Sequence, residues 1–184
     1  MSKIALIIVD LQNDYFPGGK WVLEGTEGAA TKAATLLESF RAKKLPVVHV
    51  RHEFPTTDAP FFVPNSEGVK VHSSVQELEA EPVVIKHQIN SFRDTNLKEI
   101  LDELDVDRVL ICGAMSHMCI DAVTRAANDL GYNCAVAHDA CATLGLEFNG
   151  VTVPASHVHA AFMASLDFAY ANVASTDELL SELN

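Results

Sequence analysis

Apolar residues cluster in six runs along the chain, at positions 4–9, 46–50, 82–85, 108–113, 133–137 and 170–174. Most are continuous rather than alternating, the pattern of strands covered on both faces. Helical spacing fills the intervals. Ala30, Ala33, Ala34, Leu37 and Phe40 recur every three or four residues, as do Leu97, Ile100, Leu101 and Leu104. A third set, Ile120, Val123, Ala127 and Leu130, runs into Gly131, a left-handed stop. Val158, Phe162, Ser165 and Leu166 follow Pro154, and Thr176-Asp177-Glu178 is expected to cap a short terminal helix, Thr176 as the cap, with acids in its first turn. Strand alternating with helix implies parallel pairing and right-handed crossovers. The expected fold is α/β, a doubly wound, mainly parallel six-stranded sheet with helices on both faces. At 184 residues the chain fits one domain, 1–184.

One stretch departs from this rhythm. Residues 54–81 contain Pro55, Pro60 and Pro64, with Pro82 just beyond, together with Phe61-Phe62 and Gly68. A loop this long in a small domain is usually functional. It reads either as a lid or binding loop, or as a mobile insertion or subunit contact.

Charge and cysteine content narrow the function classes. A net charge of −12, with no basic cluster, argues against nucleic acid and against anionic membrane surfaces. No stretch has the ~18 unbroken apolar residues of a membrane span. The run after Met1-Ser2-Lys3 superficially resembles a secretion signal, but Asp10 and Asp14 follow at once without a cleavage motif, so it reads as a buried strand. The four cysteines, Cys112, Cys119, Cys134 and Cys141, form no C-x-x-C pair. Reduced thiols in the cytoplasm are the expectation.

In doubly wound sheets ligands bind beyond the carboxyl ends of the strands. Three reactive side chains fall there. Asp10 ends the first run, a position that serves either a turn or a site. Lys86 ends the third, where a cation is solvated or meets a carboxylate. Cys119 follows the fourth across the turn Ala114-Met115-Ser116-His117-Met118 and opens a helix. The helix dipole there is expected to lower its pKa, and unpaired N–H groups can receive an oxyanion. Cys112, Cys134 and Cys141 read as small buried hydrophobes.

These segments resemble the isochorismatase-like cysteine hydrolase family. Ile7-Ile8-Val9-Asp10-Leu11-Gln12-Asn13-Asp14-Tyr15 is similar to its first-strand motif, and Val84-Ile85-Lys86-His87-Gln88-Ile89-Asn90-Ser91-Phe92 to its lysine motif. Cys112-Gly113-Ala114-Met115-Ser116-His117-Met118-Cys119-Ile120-Asp121-Ala122 is similar to its nucleophile turn. The resemblance implies a catalytic triad of Asp10, Lys86 and Cys119. It also implies a cis peptide at Ala114–Met115 and an oxyanion hole made by the backbone N–H groups of Met115 and Cys119. Tyr15 and Phe92 are expected to wall the pocket, with core packing as their alternative. Gln12 and His117 are expected to orient substrate, with turn capping and a solvent-facing rim as theirs. Relatives usually oligomerise, so a homo-oligomer is expected.

Two departures shape the functional expectation. Family nicotinamidases hold a metal through an Asp-x-His pair after the second strand, where this chain reads Arg51-His52-Glu53. His52 and His72 are more simply hydrogen-bonding residues, and His157 and His159 point to different helix faces, so neither metal nor cofactor is expected. The vinyl-ether cleavage of isochorismatases does not need the thiol that this chain has. The expectation is therefore a hydrolase of a small amide, carbamoyl or ureido C–N bond through a thioester. The alternatives are a non-catalytic or redox-active thiol protein on the same fold, or a vinyl-ether hydrolase. No G-x-G-x-x-G follows the first strand to support a dinucleotide enzyme.

Overall fold

The computed structural model describes residues 3–183, so Met1, Ser2 and Asn184 lie outside the description. Strand β1 (Ile4–Val9) leads through α1 (Thr26–Ala42) to β2 (Val47–His52), β3 (Val83–Lys86), α2 (Leu97–Glu103) and β4 (Arg108–Ala114). A π-helical turn over Ser116–Ile120 then feeds α3 (Asp121–Asp129) and β5 (Asn133–Ala142). The hairpin β6 (Leu146–Phe148) and β7 (Val151–Val153) precedes α4 (Ala155–Ala169), β8 (Asn172–Ala174) and α5 (Thr176–Ser181).

Six strands form one sheet in the order β3-β2-β1-β4-β5-β8, and every pairing in it is parallel. Residues of β1 alternate between the two faces. Ile4, Leu6 and Ile8 pack with Leu36, Leu37 and Phe40 of α1 and Leu179 of α5. Ala5, Ile7 and Val9 pack with Leu97 and Leu101 of α2, Val123 and Ala127 of α3, and Met163 and Leu166 of α4. Helices thus cover both faces, as the continuous apolar runs require. Edge strand β3 is the exception. Val84 and Lys86 are buried while Val83 and Ile85 are exposed, so strand parity alone turns Lys86 inward.

Several boundaries differ from the sequence reading. Strand β5 runs on to Ala142, past a register shift against β4, whereas β8 starts only at Asn172 because Tyr170 caps α4. The hairpin β6–β7 was not expected, since its three-residue strands carry no readable period. The cap of α5 is Ser175, in a reciprocal capping box with Glu178, one residue before the expected Thr176. The long segment 54–81 is stitched to the chain after β1: Asn13 N–H donates to Lys70 O, Asp14 N–H to Gly68 O, and His72 N–H to Leu11 O.

Candidate active site

Four adjacent strand ends converge on one buried cluster. Asp10 follows β1, His52 ends β2, Lys86 ends β3, and the cysteine turn follows β4. Asp10 holds φ at +52°, a left-handed conformation rare outside glycine, asparagine and aspartate. The cysteine turn is brought beside it by Gly113, whose φ is +127°. A Cβ on Gly113 would overlap the Val9 carbonyl oxygen, so only glycine lets the end of β4 lie this close to β1. The Ala114–Met115 peptide is cis.

Lys86 organises the cluster. Its Nζ lies 2.8 Å from Asp10 Oδ2 and donates to Cys119 Sγ at 3.2 Å and to His52 Nδ1 at 3.0 Å. The ammonium therefore combines an ion pair with Asp10 and hydrogen bonds to Cys119 and His52. Asp10 and Lys86 are completely inaccessible, and Cys119 is 3% exposed. Burial is the largest single influence and disfavours the charge on Lys86, but Asp10 and Cys119 together outweigh it and hold the ammonium above its ordinary pKa. Burial, reinforced by Lys86, pushes His52 down to about 4. His52 is thus neutral, with Nδ1 as the acceptor and the proton on Nε2.

The thiol overturns one expectation. A helix-start cysteine was expected to be acidic, yet burial and the neighbouring Asp10 carboxylate push Cys119 up to about 12 against the opposing influence of Lys86. It also sits inside the π-helical turn rather than at the start of α3. Desolvation is the largest influence on this thiol. No side chain caps that turn at Met115, while the Met118 and Ile120 N–H groups donate to Met115 O. Ser116, fully buried, anchors the turn from behind by a 2.8 Å hydrogen bond shared with His159 Nδ1.

Above Cys119 opens a cavity of about 300 Å³. Tyr15, Met115, His117 and Cys119 line it, as do His52, Trp21, Phe54 and Phe61. Two sequence-selected residues do not. Gln12 is fully buried and its amide is committed to backbone, donating to His52 O and Val69 O and accepting from His52 N–H. Phe92 stacks near Tyr132, with ring centroids 6.3 Å apart, away from the cavity. His117 shares a 2.6 Å hydrogen bond with Thr143 Oγ1. The role of His52 was missed because it rests on strand register, where His52 pairs with Lys86, and not on any local motif.

Among known proteins, the isochorismatase domain model matches residues 4–178. The chain belongs to the isochorismatase family. This family member is 51% identical to YddQ of Bacillus subtilis, an uncharacterized isochorismatase family protein, over 96% of this chain and 98% of that one. It is 33% identical to a streptothricin hydrolase of Streptomyces noursei, over 76% of this chain and 49% of the other. A crystal structure from Oleispira antarctica, assigned to the isochorismatase hydrolases, superposes with TM-score 0.95 at 64% identity, covering 98% of this chain and 97% of that one. As an isochorismatase-family protein the chain is a hydrolase on an α/β fold. Among the described residues no helix is long and apolar enough to cross a membrane, and no group of three or more His, Cys, Asp or Glu side chains is arranged to hold a metal.

Proposed function

We propose that this hydrolase cleaves a small amide-type C–N bond through a thioester on Cys119, with Asp10 as acid/base and Lys86 as the fixed cation between them. One observation carries the reading: the Lys86 ammonium is shared by Asp10 at 2.8 Å and Cys119 at 3.2 Å at the buried floor of a cavity.

The resting thiol dictates the order of events. Held up at about 12 by burial and Asp10, Cys119 rests as the neutral thiol at pH 7. Attack is therefore coupled to removal of the thiol proton. Asp10 takes the thiol proton as Sγ bonds to the carbonyl carbon, and Lys86 stabilises both anions in turn. The carbonyl oxygen collects negative charge, which the Met115 and Cys119 N–H groups receive; losing one such donor typically costs about 10²–10³ in rate. The C–N bond breaks as Asp10 returns the proton to the leaving nitrogen. Asp10 then accepts a proton from water, which attacks the thioester and frees the acid and the thiol.

The reading extends to a cytoplasmic homo-oligomer. Four unpaired cysteines support a reducing compartment, and the cross-strand pair Phe148 and Val151, at 76% and 62% exposure, supports a self-association surface. An ammonia-release screen over nicotinamide, carbamoyl, ureido and small aliphatic amides tests the chemistry. Cys119→Ala and Asp10→Ala are each expected to abolish turnover and acyl-enzyme trapping. Activity near that of the unmodified enzyme in either variant would sink the mechanism.

A further inference from the structure

Tyr15 closes the 3-10 turn Asn13–Tyr15 that follows Asp10, and it lines the cavity beside Cys119. Its ring packs against Phe62 and Phe61, with centroids 4.6 and 5.8 Å apart. A phenylalanine would make those contacts equally well, so packing does not account for the hydroxyl. The residue is 2% exposed, and no group among the described residues hydrogen-bonds that hydroxyl. A buried hydroxyl without a partner is costly, and the cavity is where this one can find a partner. Burial raises its pKa well above the usual value, with Asp10, Cys119 and Asp14 adding to the effect, so the hydroxyl stays protonated.

The other polar groups of the lining differ in what they offer. Trp21, 39% exposed, has an indole N–H, and His52, whose Nδ1 already accepts from Lys86, has only an N–H left. His117 Nδ1 is engaged with Thr143. A phenol oxygen accepts as well as donates. Cleavage of a C–N bond through a thioester calls for such an acceptor twice. The departing nitrogen turns its lone pair to the proton on Asp10, which directs its own N–H bonds away from the carboxyl group. The water that later attacks the thioester gives one hydrogen to Asp10 and keeps the second. Because Asp10 serves both steps, the nitrogen and the water occupy the same place, and one acceptor suffices for both.

We propose that the Tyr15 hydroxyl is a catalytic group: its oxygen accepts an N–H of the departing nitrogen and then the second hydrogen of the attacking water, fixing each against Asp10. This rests on the thioester reading of the site. In the second step the water oxygen bonds to the carbonyl carbon, and its first proton passes to Asp10. The C–S bond then breaks, and that proton returns to Sγ. Tyr15 neither gains nor loses a proton.

Tyr15→Phe removes the oxygen, keeps the ring and strands no protein group, so its thermal midpoint is expected to stay within about 2 °C of that of the unmodified enzyme. para-Nitrophenyl acetate and acetamide lead to the same acetyl-Cys119, but nitrophenolate leaves with neither a proton nor an N–H. Nitrophenolate release gives the acylation rate, and intact-mass spectrometry follows the decay of acetyl-Cys119. In Tyr15→Phe, acylation by the ester is expected within about threefold of the unmodified enzyme, while decay of the adduct slows about 10- to 100-fold. Ammonia release from acetamide is expected to fall at least as far. Equal decay rates in the two proteins, or acylation by the ester slowed as much as decay, overturns the proposal. If Cys119 takes up no acetyl group, the thioester reading fails and the role of Tyr15 falls with it. If the ester adduct forms and decays slowly in Tyr15→Phe, yet acetamide releases no ammonia from either protein, the water-holding role stands and the C–N reading fails.

Discussion

The Lys86 ammonium donates to Nδ1 of His52 across 3.0 Å, and both side chains are buried at neighbouring strand ends. His52 therefore fixes the one Lys86 hydrogen that neither Asp10 nor Cys119 uses. A hydrogen bond to a charged group contributes about 1.5–3 kcal/mol. His52→Phe, which lacks the acceptor, is expected to lower kcat by about 10- to 100-fold with a smaller change in KM. His52→Asn keeps an acceptor and is expected to recover most of that loss. Steady-state kinetics on a hydrolysed amide decides it, and equal kcat in His52→Phe and the unmodified enzyme refutes it.

The same residue sets an acid limb of stability. Its folded-state pKa of about 4 lies below the ordinary 6.5, so the unfolded chain takes the proton first as pH falls. The stability linked to neutral His52 is complete above about 6.5 and is lost progressively down to about 4. The loss is on the order of 3 kcal/mol. Urea unfolding across that range is expected to show this slope in the unmodified protein and a shallower one in His52→Phe.

Asp10 and Lys86 pull the Cys119 thiol in opposite directions, Asp10 raising its pKa and Lys86 lowering it. Asp10→Asn removes the raising influence. Its thiol is expected to react faster with iodoacetamide at pH 7–8 than that of the unmodified enzyme, although amide hydrolysis is lost. The pH dependence of alkylation, followed by mass spectrometry at Cys119, is the measurement. Slower alkylation in Asp10→Asn would show that the carboxylate acidifies the thiol instead.

Asp14 ties the aromatic wall to the floor. Its carboxylate accepts from Phe62 N–H at 2.7 Å and Lys20 N–H at 3.1 Å, and Gly68 packs so close that a Cβ would overlap it. These two amides immediately flank the wall residues Phe61 and Trp21. Asp14→Ala is expected to raise KM for an aromatic amide about tenfold or more while kcat changes less, since Asp14 does not touch the triad. An unchanged KM would mean the wall stands without it.

Gly113→Ala tests the closeness of the strand ends. The added methyl must displace the Val9 carbonyl or distort a +127° φ, at roughly 3 kcal/mol or more. A lowered denaturation midpoint together with lost activity is expected. A stable, active Gly113→Ala protein would contradict the packing.

Much of this was legible in the chain because burial on both sheet faces writes itself as unbroken apolar runs, and a parallel sheet places their ends together. Asp10 and Lys86 stand directly at or after such an end, and Cys119 follows one across a five-residue turn. What was not legible depends on distances across the sheet. The partnership of His52 with Lys86 comes from register. The fate of Gln12, clamped between His52 and Val69, comes from how residues 54–81 fold back. The acidity of Cys119 was misread because a helix start is a local feature, whereas desolvation is set by the whole surrounding core. The hairpin β6–β7 is too short to carry a period at all.

That hairpin joins two environments within three residues. Leu146 lines the cavity, while Phe148, two positions on, is 76% exposed beside its cross-strand partner Val151. Asp10 and Lys86 sit at the ends of sheet strands and Cys119 in the turn after one, but this part of the wall hangs from a flap outside the sheet. Substitutions in the flap can therefore recut the shape of the binding chamber without disturbing the proton path beneath it, leaving selectivity and chemistry free to change independently.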